Sequence, residues 1–495
     1  MLSYISYIFI GIYLVSLSYI TFYCLFQFIL FAKYQRFHAN EDVSKRLLAK
    51  STDPNLPFVT IQLPLYNELH VVERLIDNIA AFDYPKDKFE IHVLDDSTDN
   101  SIEIAAKKVQ EYKDKGFNIE HIRRTDRSGF KAGALKEGMK YAKGDFIAIF
   151  DADFLPRKDF LLQTIPYFLA DPKIGVVQTR WEHINQDYSL LTKLQSMQLN
   201  VHFTVEQKGR QQGGYLLQFN GTAGVWRRQA IDAAGGWESD TLTEDLDLSI
   251  RAQLAGYKIE FLEYVGSPAE LPAEMNGLRS QQFRWMKGGA ESARKLLNMV
   301  WKSNQTFMTK IQATSHLMSS GIFLWLLIAS IISVPMIWGI NIVGFNKHFF
   351  GVFLLGLFSV VLIYFVANNN ANNIEDTAWG RIKFFLRFPV FLSLSMGVSF
   401  HNAIAVWEGY MGKKSPFVRT PKFNITANND GFTKMQYFNG KLTYSHFMEI
   451  FLTLYFLFGL IMGIFYGETT FVVFHAMLAF GYGAISYYSL KHLRG

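Results

Sequence analysis

The sequence predicts an α/β domain set between apolar, membrane-length helices. Three observations carry that expectation. Apolar residues fall in blocks rather than evenly. Short apolar runs alternate with amphipathic helical stretches across residues 33–310, and two of those runs end in paired carboxylates. The chain has 495 residues, 49% hydrophobic, 16% aromatic and only 19% charged, with a mean hydropathy of +0.08. An average soluble domain carries about 25% charged residues, so the charge deficit is the signal, not the apolar total. The composition excludes disorder, collagen and disulfide scaffolds. The single cysteine, Cys24, can form no intrachain disulfide and lies in an apolar run, where packing is its expected role. The net charge of +6 comes with no arginine-rich stripe, so nucleic acid is not an expected partner.

The apolar blocks come first. Residues 1–32 contain no Lys, Arg, Asp or Glu, and residues 5–31 exceed the roughly 20 needed to cross a bilayer. The segment lacks a basic n-region and a small-residue cleavage site, so an uncleaved anchor is expected. Lys33, Arg36, Lys45 and Arg46 follow it and put that side in the cytoplasm. Beyond residue 310 the apolar spans are 316–342 and 349–366, then 451–465 and 470–490. Between the pairs, residues 382–410 are apolar but carry Lys383, Arg387, His401 and Glu408. They read as an amphipathic helix on the cytoplasmic interface, with a full span as the competing reading. Five spans keep Lys413, Lys414, Arg419 and Lys422 inside. The expected organisation is an anchor at 1–32, a cytoplasmic α/β domain at 33–310 and a helix pair at 311–370. An interfacial helix and loop at 371–446 and a C-terminal helix pair at 447–495 complete it.

Within the α/β domain, a first strand at 58–63 runs into Pro64-Leu65-Tyr66-Asn67-Glu68 and a helix at 71–82. A polar turn between strand and helix is where α/β folds bind ligands. A second strand, 90–94, ends in Asp95-Asp96, and a third, 145–150, ends in Asp151-Ala152-Asp153. In extended backbone, residues two apart point to the same side, so Asp151 and Asp153 can serve one hard divalent cation, Mg²⁺ or Mn²⁺. The bland alternative is an Asp that caps a helix or forms a turn. Ser128-Gly129-Phe130-Lys131-Ala132-Gly133 opens a helix whose small residues let a ligand approach, with Lys131 reaching a phosphate or simply solvated. Phe219-Asn220-Gly221-Thr222-Ala223-Gly224 is a second small-residue turn. In Thr243-Glu244-Asp245, Asp245 is either a helix N-terminal residue favoured by the dipole or a general base. On a helix, Gln281, Arg284 and Trp285 share one face, offering an amide, a fixed cation and a flat indole. Arg pairs with phosphate and Trp stacks on a sugar, although Trp is also common at membrane interfaces.

The ordered set Asp95-Asp96, Asp151-x-Asp153, Thr243-Glu244-Asp245 and Gln281-x-x-Arg284-Trp285 resembles the D, D, D, QxxRW signature of processive family 2 glycosyltransferases. The text around 93–99, 131–139, 149–154, 202–207 and 219–226 is closest to the mannan and glucomannan synthases of the cellulose synthase-like A type. The likeness runs over roughly residues 55–300. It implies a GT-A domain, Rossmann-like, binding a nucleotide-diphosphate sugar. Donor contacts would come from Tyr66, Glu68, Asp95, Asp96, Lys131, Asp151, Asp153, Gln281 and Arg284, with Asp151 and Asp153 also holding the metal. Asp245 would be the general base, and Asn220, Gly221, Thr222, Glu244 and Trp285 would meet the acceptor. Residues 415–423 are similar to the FxVTxK gating loop of cellulose synthases, with Thr420 and Lys422 in the donor-contacting positions and Arg419 in place of Val. Residues 423–428 are a competing match with Asn428 where Lys belongs.

The resemblance implies a metal-dependent, inverting hexosyltransferase that makes a β-1,4-mannan, glucomannan or glucan from GDP-mannose or UDP-glucose and passes it through the bilayer. An accessory export subunit is a further expected partner. A single-transfer enzyme acting on a ceramide or polyprenyl phosphate is the alternative, and an inactive export subunit on the same scaffold is a third reading. The bias towards Phe, Ile, Lys and Asn points to a bacterial inner membrane rather than a Golgi membrane.

Overall fold

The structure is a computed structural model and describes residues 1–38, 46–371, 373–415, 417–425 and 444–491. Seven strands form one sheet: β1 (Val59–Leu65), β2 (Phe89–Asp95), β3 (Ile119–Ile122), β4 (Phe146–Ile149), β5 (Ile174–His183), β6 (Gly224–Arg227) and β7 (Lys258–Ala269). Their order is β3-β2-β1-β4-β6-β5-β7. β1 to β4 pair in parallel, β6 runs antiparallel to both β4 and β5, and β5 and β7 are parallel. β1 continues past residue 63 through Pro64. β4 pairs with β1 only as far as Gln62, so the missing proline N–H breaks no bond on that side.

Side-chain alternation sends each strand's residues into two cores. Ile91 and Val93 of β2 and Phe146 and Ala148 of β4 pack with helices Val72–Ala80, Ser101–Asp114 and Phe160–Ala170. Leu94 of β2 and Ile147 and Ile149 of β4 face helices Phe130–Gly138, Arg228–Ala233 and Glu244–Leu254. Each such side chain contributes about 1.5–3 kcal/mol on full burial. This double-sided packing fixes the edge on which β1, β2 and β4 end together.

Among the described residues, five helices are long and apolar enough to cross a membrane: Leu2–Phe37, Ser319–Ile342, Lys347–Asn370, Tyr444–Phe465 and Thr469–Lys491. The pair Ala378–Gly397 and Ser399–Met411 is bent by 47° and would make a sixth if it counts as one span. The 28-residue helix Met275–Lys302 joins the sheet to these helices. Its Arg279 donates to Glu449 (2.7 Å) and Ser489 (3.1 Å) through Nη1 and to Ser445 (2.8 Å) through Nη2. A buried cation on this helix is thus matched by groups from the last two apolar helices.

Candidate active site

The ends of β1, β2 and β4 open onto a cavity of about 220 Å³. Its wall includes Tyr66, Glu68, Asp96, Lys131, Asp151, Asp153, Asn220, Gly221, Glu244 and Asp245. Gln281, Arg284, Trp285, Thr420 and Lys422 complete it, from a helix and a loop distant in sequence. Two expected residues stand apart. Asp95 is buried behind the wall, where its carboxylate meets His121 Nε2 at 2.8 Å and accepts the Ser97 N–H at 2.9 Å. Those bonds outweigh burial and hold Asp95 below the usual carboxylate range. Thr222 is also fully buried, and its hydroxyl accepts the Asp151 N–H at 2.8 Å. Both support site residues from behind.

The Asp151–Asp153 stretch departs from the extended geometry expected of it. It is a turn closed by Phe154 N–H to Asp151 O at 3.1 Å, just beyond β4. Both side chains reach the cavity, but each already has a lysine. Lys131 Nζ lies 2.5 Å from Asp151 Oδ1 and 2.9 Å from the Gly221 carbonyl. Lys422 Nζ lies 2.7 Å from Asp153 Oδ2 and 3.0 Å from the Glu270 carbonyl. Burial disfavours both ammonium groups, yet Asp151 and Asp153 outweigh it and raise both pKa values.

Carboxylates are in excess. Burial, with Asp153 and Asp151 adding to it, pushes Glu68 up to about 7 although Arg419 opposes. Asp151, Asp153 and Glu68 bring hard oxygen donors, the kind a divalent cation takes, to one cavity wall, where Lys131, Lys422 and Arg419 stand beside them. Among the described residues, the acidic trio whose oxygens lie within 4.8 Å of one another is elsewhere, at Glu238, Asp240 and Asp247. There Lys295 Nζ already sits 2.5, 2.7 and 3.0 Å from the three carboxylates, so that charge is met internally.

Glu244 and Asp245 begin helix Glu244–Leu254. Its N-cap, Thr243, packs against Gly288, where a Cβ would come within 2.6 Å of the threonine methyl. This close approach brings the Gln281–Trp285 face to the same cavity. Burial and the neighbouring Glu244 push Asp245 up to about 7, and burial likewise raises Glu244 against Lys131. A carboxyl poised near neutrality suits proton transfer. Gly221 has φ +79°, and a Cβ there would stand 3.0 Å from Asp245 Oδ2, so the turn needs glycine on both counts. Burial lowers Arg284 to about 10 despite Asp151 and Glu244.

Of the loop's two alignments, the first has both its donor-contacting positions, Thr420 and Lys422, among the described residues. Arg284 donates to the Val418 carbonyl and to Thr420 Oγ1 (3.0 Å), while Lys422 meets Asp153. Residues 426–428, the end of the competing match, lie outside the described residues. Sequence reading missed several groups here. Glu270, almost fully buried, accepts the N–H of Phe423 (2.8 Å) and Asn424 (2.9 Å) and anchors the loop. Arg419 bonds the Tyr66 carbonyl at 3.3 Å and stands 3.7 Å from Glu68. Arg127 sits 3.2 Å above the Tyr66 ring, and Phe417 stacks on Phe130 at 5.5 Å. No local pattern in the sequence signals any of these contacts.

A mixed sheet with acidic turns at the ends of its parallel strands, closed by a helix bearing Gln281, Arg284 and Trp285, defines a GT-A glycosyltransferase fold. Residues 54–288 match the family model described as "Glycosyltransferase like family 2", and this part of the chain belongs to that family. Among curated proteins the chain is similar to probable glucomannan 4-beta-mannosyltransferase 4 of Oryza sativa subsp. japonica, with 42% identity over 281 residues, 56% of this chain and 51% of that protein. It is also similar to glucomannan 4-beta-mannosyltransferase 9 of Arabidopsis thaliana, with 44% identity over 260 residues, 52% of this chain and 49% of that protein. The chain spans about half the length of these relatives. Among solved structures it resembles a mannosyltransferase, PcManGT from Pyrobaculum calidifontis in complex with GDP-Man and Mn²⁺. The TM-score is 0.50 at 17% identity, covering 84% of this chain and all of that one, a likeness of fold.

Proposed function

We propose that this chain is a membrane-embedded, inverting glycosyltransferase that polymerises a β-1,4-linked mannan, glucomannan or glucan from a nucleotide-diphosphate sugar and passes it through the bilayer. One observation carries the reading. A single cavity gathers the acidic turns, a near-neutral buried carboxyl at Asp245 and the Gln281–Arg284–Trp285 face under one loop. The names of the curated relatives favour GDP-mannose as donor. Their plant origin favours a Golgi-type membrane over a bacterial one, with the catalytic domain on the cytosolic side.

In this mechanism Tyr66, Glu68 and Asp96 flank the nucleotide, with Asp95 bracing Asp96's neighbourhood from behind. Arg284, Lys131 and Lys422 receive the diphosphate. A divalent ion held by Asp151 and Asp153 would supply further neutralisation of the leaving group. Trp285 stacks on the acceptor sugar, with Asn220, Gly221 and Glu244 beside it. Asp245 takes the proton from the acceptor hydroxyl, whose oxygen attacks the anomeric carbon as the diphosphate departs on the opposite face. An α-linked donor gives a β-linkage. Purified protein in liposomes, offered a panel of radiolabelled nucleotide sugars, tests this. A long product cut by a β-1,4-mannanase or glucanase is expected. A lipid carrying one added sugar, or no transfer from any donor, would overturn it.

A further inference from the structure

Residues 202–207, His-Phe-Thr-Val-Glu-Gln, do not line the cavity, yet they grip the turn that does. Val201–Glu206 form a wide π-type turn between helices Leu190–Asn200 and Gln207–Gly213. Such turns are rare and cluster at functional sites. His202 Nδ1 lies 2.9 Å from Glu206 Oε2, and its Nε2 lies 2.8 Å from Asn220 Oδ1. Glu206 also stands 3.5 Å from Arg210. Burial opposes its charge, but Arg210 and His202 outweigh burial and hold Glu206 at about 2. One residue on, Gln207 donates to the Gln218 carbonyl at 2.6 Å. From the other side, Gln178 accepts the Asn220 N–H at 2.9 Å.

The consequence concerns one amide. When both ring nitrogens of His202 carry protons, one given to the Glu206 carboxylate and one to Oδ1, Asn220 keeps its NH₂ for the cavity, where its remaining contact among the described residues is a long 3.4 Å approach to the Gln218 carbonyl. An NH₂ beside Gly221 and Asp245 is a donor for a sugar hydroxyl. The relay has firm backing: Gly209 lies so close to the first apolar helix that a Cβ would meet the Leu30 carbonyl at 2.5 Å.

We propose that His202 and Glu206 are positioning residues for the acceptor, orienting the Asn220 carboxamide so that its NH₂ binds a hydroxyl of the acceptor sugar. The inference rests on the glycosyltransferase reading. Water needs no such orientation, so transfer to sugar and hydrolysis of the donor are separated by it. The test uses the full chain in liposomes with GDP-mannose, measuring glycan formed, free mannose released and the KM of each for donor. His202→Leu and Glu206→Gln should each lower transfer about tenfold, the worth of one misdirected hydrogen bond to substrate, while hydrolysis and donor KM stay at wild-type values. His202→Gln, which keeps an N–H for Asn220 Oδ1, should recover most of the transfer. Equal loss of transfer and hydrolysis, unchanged transfer in His202→Leu, or no rescue by glutamine would overturn the proposal. Failure of the wild type to act on any nucleotide sugar would instead overturn the glycosyltransferase reading.

Discussion

Asp245→Asn should cost the protein its activity and make it more stable, and the second effect should grow with pH. In the fold the carboxyl is moved from an ordinary 3.8 to about 7 by burial and by Glu244. A raised carboxyl pKa means the folded state holds its proton more tightly than the unfolded chain. The penalty therefore begins as pH rises through 3.8 and is complete above 7. Linkage puts it at roughly 2 kcal/mol at pH 5 and roughly 4 kcal/mol at pH 8. Asparagine escapes it, so the variant's gain in apparent Tm over wild type should be larger at pH 8 than at pH 5. In the wild type, kcat/KM should climb about tenfold per pH unit below 7 and level off above it, as the base ionises. In the variant, transfer should fall by about 10²–10⁴ while donor binding persists. Thermal unfolding in detergent at the two pH values, with a pH–rate profile, checks both halves. A stability difference independent of pH would refute the strained carboxylate. Retained transfer, or loss of donor binding in step with turnover, would refute the base.

Three further outcomes follow from the geometry. Excess EDTA should abolish transfer and added Mn²⁺ or Mg²⁺ restore it, since the cavity wall carries seven carboxylates (Glu68, Asp96, Asp151, Asp153, Glu244, Asp245 and Glu270) against five cations (Arg127, Lys131, Arg284, Arg419 and Lys422); full activity in EDTA would refute this. Glu270→Ala strips the buried Phe423 N–H of its acceptor, at about 1–3 kcal/mol, together with the more exposed Asn424 N–H, and should raise donor KM as the loop loosens. Arg279→Ala leaves Glu449 charged and buried without its partner, at about 3–5 kcal/mol, so folded yield should fall sharply and the double variant Arg279→Ala/Glu449→Gln should recover part of it.

Local patterns carried much of the cavity into view. Asp151, Asp153, Asp245 and the Gln281, Arg284, Trp285 set were legible because each belongs to a strand end or helix face whose geometry spans only a few residues. Asp95 and Asp96 show where that logic stops. Neighbours at a strand end point to opposite sides, and only Asp96 reaches the cavity, where Arg124 grips both its oxygens at 2.7 and 2.6 Å. Glu270, Arg419 and Phe417 were invisible because their partners lie far along the chain: Glu270 meets Phe423, Arg419 meets Tyr66, and Phe417 meets Phe130. The antiparallel β6 was equally hidden, since no residue in Gly224–Arg227 encodes its direction; the connections do. Hydropathy marked the apolar helices by composition alone, while the 47° bend falls beside Gly397, a residue packed against Gly481 far along the chain.

Helix Met275–Lys302 serves two surroundings within two turns. Arg284 and Trp285 face the cavity, while Arg279 is tied to Glu449, Ser445 and Ser489 on the last two apolar helices. If those helices tilt to match a thinner or thicker bilayer, the Arg284 guanidinium, proposed above to receive the diphosphate, tilts with them. Lipid chain length then becomes a variable of turnover, and the same protein in short-chain and long-chain vesicles should differ in kcat with no change in sequence or substrate.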